Sequence, residues 1–108
     1  MDNASADSAA TELVYTPARQ LAVEVREGQR SAVEVMRAYL ERIEQCNGEI
    51  NAICTLLPPE EALQLAAQAD RALAAGSEPG PLHGLPIAVK DLSATRGMRT
   101  TMGSPIFA

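Results

Sequence analysis

The chain has 108 residues, 9 of them Lys or Arg and 14 Asp or Glu, giving a formal net charge of −5. This length allows one small domain at most, because domains typically run to about 100–150 residues. The acidic balance, without a Lys/Arg-rich run, argues against a nucleic-acid surface, since phosphate contact needs concentrated positive charge.

Hydrophobic residues make up 46% of the chain, but the aromatic ones are only Tyr15, Tyr39 and Phe107, so the core is expected from Ala, Leu, Val and Ile. No apolar run approaches the roughly 20 residues of a membrane helix, and Met1 to Ala10 carries Asp2 and Asp7 with no hydrophobic stretch behind them. Neither a signal peptide nor a spanning helix is read, and the cytoplasm is the expected compartment. Cys46 and Cys54 are too sparse for a disulfide framework or a zinc site. They are read as free thiols packed as small hydrophobes, with no metal and no cofactor.

In chain order, the first dozen residues show no periodicity, and 1–15 read as a disordered terminus. Thr16-Pro17 is a helix-start signal, with the Thr oxygen as the cap. The helix is expected to reach about Glu27, close at Gly28, and bury Leu21, Ala22 and Val25. Ser31-Ala32-Val33-Glu34 then fits a capping box, Ser31 bonding forward and Glu34 reaching back. Met36, Tyr39, Leu40 and Ile43 follow as one apolar stripe, opposite a solvated face of Glu34, Arg37, Glu41, Arg42 and Glu44.

Asn47-Gly48 is expected to end that helix, and Ile50 to Leu57 reads as a strand or extended run. Pro58-Pro59-Glu60-Glu61 opens a further helix with Ala62, Leu65, Ala66, Ala69 and Leu73 at helical spacing and Gly76 as its stop. Residues 77–81, rich in Pro and Gly, must be a loop. Pro86-Ile87-Ala88-Val89 then reads as a short buried strand ending at Lys90-Asp91. One strand has no partner for its backbone groups, and helices supply none. The pattern therefore reads as the front of a sheet, and Ala108 is not expected to be a natural domain boundary.

Lys90 is the most reactive candidate: an ammonium taken out of water at a strand end favours the neutral amine, which can act as a base. Ser93, Thr95, Thr100, Thr101 and Ser104 supply nearby hydroxyls. The plainer reading has Lys90 leaving for solvent or pairing with Asp91. His83, the single histidine, reads as structural or exposed, with no partners for a triad.

Pro81-Leu82-His83-Gly84-Leu85-Pro86-Ile87-Ala88-Val89-Lys90-Asp91, then Gly97, then Arg99-Thr100-Thr101-Met102-Gly103-Ser104, closely resembles the amidase signature family. That family carries G-[LIV]-P-[IV]-x-[VI]-K-D, a glycine, and T-T-x-G-S. Upstream, G-x-x-S-A-V-E-V from Gly28, I-N-A from Ile50 and A-x-x-A-D-x-x-L-A-x-G from Ala66 agree as well. The resemblance runs from about Thr16 to the end, making 16–108 the N-terminal part of an amidase domain.

The resemblance implies an α/β fold, a mixed sheet surrounded by helices, of which this chain holds the N-terminal helices and the first core strand. It also implies a serine hydrolase of carboxamide C–N bonds that uses neither metal nor histidine. Lys90 would be the general base, acting through a serine on a cis peptide bond that takes the proton from a nucleophilic serine. A glycine/serine-rich loop would hold the oxyanion. Both serines fall outside the matched segment, so the isolated chain is expected to be inactive. Ser104 belongs to the T-T-x-G-S element and is not promoted to nucleophile; Ser93 is an equally poor candidate.

Asp91 is expected to bond backbone of the following loop, facing away from Lys90. Gly97 and Gly103 are read as conformational residues, and Thr100 and Thr101 as buttresses. Arg96 and Arg99 are read as solvated rather than as contacts for an acidic substrate. The expected partner is a small-molecule amide, with no nucleic acid or membrane, and a homodimer of the full-length parent is allowed for. A second reading within the family is the A subunit of a tRNA-dependent (glutamyl/aspartyl) amidotransferase, which liberates ammonia from glutamine for use elsewhere in the complex. A third, from a different class, is a non-catalytic helical interaction module.

Overall fold

A computed structural model describes residues 3–106. The element order is α1 (Asn3–Tyr15), α2 (Ala18–Arg26), α3 (Ala32–Ile50) and α4 (Pro59–Ala74). The described residues contain no strand. The chain after α4 is a series of turns and extended segments, so the described residues show the helices of the α/β reading but not its sheet.

α3 is the central element, packed against both α1 and α4. The core joins Leu13 of α1, Leu21 and Val25 of α2, and Val35 and Ala38 of α3, with Ala10, Val14, Tyr39 and Leu85 against it. The disordered terminus expected over 1–15 is thereby corrected over residues 3–15. Leu13, 2% exposed, reaches into the core, and burying a leucine offsets weak helix propensity. Met1 and Asp2, Phe107, and Ala108 with the boundary expected there, lie outside the described residues.

The helix ends show which local signals held. α2 and α4 each close with a glycine at positive φ, Gly28 at +78° and Gly76 at +86°. In each, two N–H groups return to carbonyls of the last turn: Gly28 to Val25 and Gln29 to Glu24, Gly76 to Leu73 and Ser77 to Ala72. This double bond pattern satisfies carbonyls that helix ends leave open. Thr16 behaves differently from the cap expected of it. Its hydroxyl donates to the Glu12 carbonyl at 2.8 Å, closing α1, and α2 starts from Pro17 without a side-chain cap.

α3 departs from the sequence reading at three points. Its buried row is Ala32, Val35 and Ala38, whereas Met36, Tyr39, Leu40 and Ile43 are only half-buried. Small residues at the buried row let neighbouring helices approach closely. The helix also runs through Asn47-Gly48 and stops at Asn51, in the left-handed conformation at φ 54°. The Asn47 side chain is used elsewhere: its amide donates to the Ile53 carbonyl at 3.0 Å and accepts the Ile53 N–H at 2.9 Å. That bracket folds the chain back after α3, and 52–58, bent at Cys54 and Thr55, forms no strand.

The third departure is at the start of α3. The Glu34 N–H donates to Ser31 Oγ at 3.0 Å, but the Glu34 carboxylate is held by Arg30 at 3.0 Å, and Arg30 also meets Glu24 at 3.1 Å. The remaining open donors, the N–H groups of Ala32 and Val33, go to the two carboxylate oxygens of Asp70 at 2.7 and 3.1 Å. One residue of α4 thus caps α3, and its negative charge sits at the positive end of the helix dipole.

Candidate functional site

The lysine segment is carried on the helical core by residues 83–85. The His83 ring Nε2 lies 2.8 Å from the Ala69 carbonyl, and since a carbonyl only accepts, that nitrogen carries the proton. Gly84 has φ +82°, and a Cβ there would lie 2.8 Å from Val25 Cγ1 and 3.2 Å from the Ala32 Cβ. Only a residue without a side chain lets the backbone lie on α2 and α3 this closely. Leu85 packs on the core from the same segment. His83 is therefore a docking residue, placed next to the Asp70 cap.

Beyond this anchor the chain leaves the core. Ile87 is 81% exposed and Val89 43% exposed, and Lys90 is exposed as well. The buried strand expected at Pro86–Val89 is corrected to an exposed extended segment, because the described residues contain no second strand to cover it. The described residues also leave Lys90 in water rather than in a dry pocket. Lys90 does not pair with Asp91: both ion pairs among the described residues belong to Arg30.

Asp91 organises the following loop. Its carboxylate accepts the Thr101 N–H at 2.8 Å and the Thr101 hydroxyl. Its carbonyl accepts the Met102 N–H at 3.0 Å, and the Lys90 carbonyl accepts the Ser93 N–H at 3.0 Å. The Thr101 hydroxyl, the largest influence, holds the Asp91 carboxyl below the usual carboxylate range, reinforced by the Thr101 N–H and opposed by slight desolvation. Met102 and Gly103 turn the chain at φ 55° and 71°, and the Ser104 N–H returns to the Thr101 carbonyl at 3.0 Å.

The structure thus brings Asp91, Thr101, Gly103 and Ser104 to the neck of one loop beginning at Lys90. Gly97, at φ 79°, turns at its far side, and Thr100 is half-buried. Arg96 and Arg99 are exposed. Cys46 is half-buried, but Cys54 is exposed, so only the first fits the expected packing as a small hydrophobe. Among the described residues no group of His, Cys, Asp and Glu could hold a metal ion, and no helix is long and apolar enough to cross a membrane.

The sequence reading does not single out Asp70 as the cap of α3, although its signal is present. It continues the α4 row of buried Ala62 and Ala66 at four-residue spacing, and an aspartate in an apolar row needs a partner.

Comparison with known sequences places the lysine-bearing segment in an amidase-type protein. The amidase family model matches residues 34–108; the chain belongs to that family. It is 47% identical over 96 residues, 89% of its length, to the A subunit of the glutamyl-tRNA(Gln) amidotransferase of Renibacterium salmoninarum, covering 18% of that relative. Proteins of the same name from Carboxydothermus hydrogenoformans and Geobacter sulfurreducens are 40% identical over 88% of the chain and 51% identical over 70%, with 19% and 15% of the relatives covered. The chain therefore spans about a fifth of the length of the curated relatives it matches. No solved structure matches.

Proposed function

We propose that residues 16–108 form the N-terminal part of an enzyme that breaks a carboxamide C–N bond, with Lys90 as its general base. The observation that supports this reading is the family match across the segment from Pro81 to Ser104, together with a loop neck of Asp91, Thr101 and Gly103 placed directly after the lysine. In this reading the exposed segment Pro86–Val89 becomes the first strand of a mixed sheet whose other strands lie outside these 108 residues. The same strands enclose Lys90 and remove water from it, which favours the neutral amine. That amine takes a proton through a serine on a cis peptide bond from the nucleophilic serine, and the resulting alkoxide attacks the amide carbonyl. The partner is a small-molecule amide.

The relatives' shared name favours one form of this reading, the ammonia-liberating A subunit of a tRNA-dependent amidotransferase. Its amide would be glutamine, and the ammonia would pass to a different polypeptide of the complex.

The test is ammonia release by the intact product of the reading frame that contains these residues. Lys90→Ala is expected to lower it by about 10²–10⁴-fold, the usual loss for a general base. Near wild-type turnover in that variant overturns the reading. Release from glutamine far above release from simple amides would select the amidotransferase form, and the reverse would select a free-standing amidase.

A further inference from the structure

We infer that Asp91 is a positioning residue for Lys90, closing the loop 91–101 through Thr101 and so fixing the backbone from which the lysine side chain departs. This rests on the reading of Lys90 as the base and names a residue through which that base is held in place.

The hydrogen bonds at the neck leave residue 91 little freedom. Its carboxylate takes both the N–H and the hydroxyl of Thr101, and its carbonyl takes the Met102 N–H. The carbonyl of Lys90 is itself held by the Ser93 N–H. Rotation of the peptide between residues 90 and 91 would break one or more of these bonds. The Ser93 N–H bond to the Lys90 carbonyl makes Asp91 the second residue of a Lys90–Ser93 turn, so the Thr101 and Met102 bonds to Asp91 fix the turn that the Lys90 backbone enters.

The Thr101 hydroxyl does two things at once. It donates to Asp91 and accepts the Gly103 N–H at 3.3 Å. Serine can reproduce both bonds and valine neither. An ionised Asp91 can only accept, which matches the two Thr101 donors; an asparagine would point an N–H₂ at one of them. Since Lys90 takes no part in the clamp, Asp91 acts on the base through the backbone rather than by charge pairing.

The experiment compares Asp91→Asn, Thr101→Val and Thr101→Ser in the intact enzyme, with Lys90→Ala as the reference. Asp91→Asn and Thr101→Val are expected to lower kcat by about 10²-fold with little change in KM, as misplacement of a reacting group does. Thr101→Ser is expected to restore kcat to within about threefold of wild type on the same logic. The limb of the kcat/KM pH profile that reports the free base should move in the first two variants. A core lesion such as Leu21→Ala should change the amount of folded enzyme without moving that limb. Wild-type kcat and an unmoved limb in both Asp91→Asn and Thr101→Val, beside an inactive Lys90→Ala, would overturn the inference and leave the reading of Lys90 standing. An active Lys90→Ala would overturn both.

Discussion

The helices and the chain that follows them are built on different terms. Every buried apolar side chain among the described residues, from Leu13 to Ala66, belongs to a helix. After α4 no described residue is buried, and Leu82, Ile87, Leu92 and Ile106 are all more than half exposed. The helical part is held by burial, by two glycine-closed helix ends and by the Asp70 cap; the later part is held by turns and by the polar clamp of Asp91 and Thr101. The Cα radius of gyration, 15.2 Å, exceeds the roughly 13 Å of a closed domain of this length. The lesson is that the segment bearing the lysine is locally shaped but not enclosed, and residues 83–85 are its attachment to the core.

If that division is right, damage to the helical core should have the largest effect. Leu21, 1% exposed, lies at the centre of the cluster, and Leu21→Ala is expected to cost about 2–5 kcal/mol, measured by urea denaturation followed through the helical signal. A loss well below that range would mean the helices are not the folding unit.

Gly84→Ala probes the attachment. The added methyl would meet Val25 at 2.8 Å in a backbone conformation that disfavours side chains, a strain of about 1–3 kcal/mol. Faster amide exchange at Leu85 with unchanged helical content is the expected result; unchanged exchange would show that the segment is held by something else. Asp70→Ala, which removes the shared cap of α3, should lower stability by about 1–2 kcal/mol. A neutral outcome in the same denaturation assay would show that water replaces the carboxylate.

The smallest effect is confined to the loop and depends on pH. The Asp91 carboxyl lies below its ordinary range in the folded chain, so the unfolded loop takes up the proton first as pH falls. The stabilisation is fully present above the ordinary carboxylate value and is lost as pH drops through the lowered folded value. A titration of the Thr101 amide resonance should therefore show a midpoint below the usual aspartate range, with α1–α4 unaffected. A midpoint at the usual value would mean the clamp is weak in solution.

Much of this was legible locally. Gly28 and Gly76 closed their helices because positive φ is a property of glycine itself, and Pro59 began α4 because proline suits the first turn. The Lys90–Asp91 pair, followed by Thr100-Thr101 and Gly103, was visible as a motif because catalytic families keep residue types at fixed spacing. Less legible were residues whose role depends on a distant partner. Thr16 caps α1 rather than α2, Asn47 brackets Ile53 from within a helix, and Asp70 serves a helix that begins at Ala32.

The sequence by itself determined the helices from α2 onward, the glycine stops of α2 and α4 and the family of the lysine-bearing segment, because propensity, capping and motif spacing act over a few residues. The tertiary structure alone decided that residues 3–15 are helical, that the buried face of α3 is its row of small residues, and that Pro86–Val89 stays exposed and unpaired. Each of those outcomes depends on which surfaces meet. Burial and strand pairing are properties of two segments together, and no single stretch of sequence carries them.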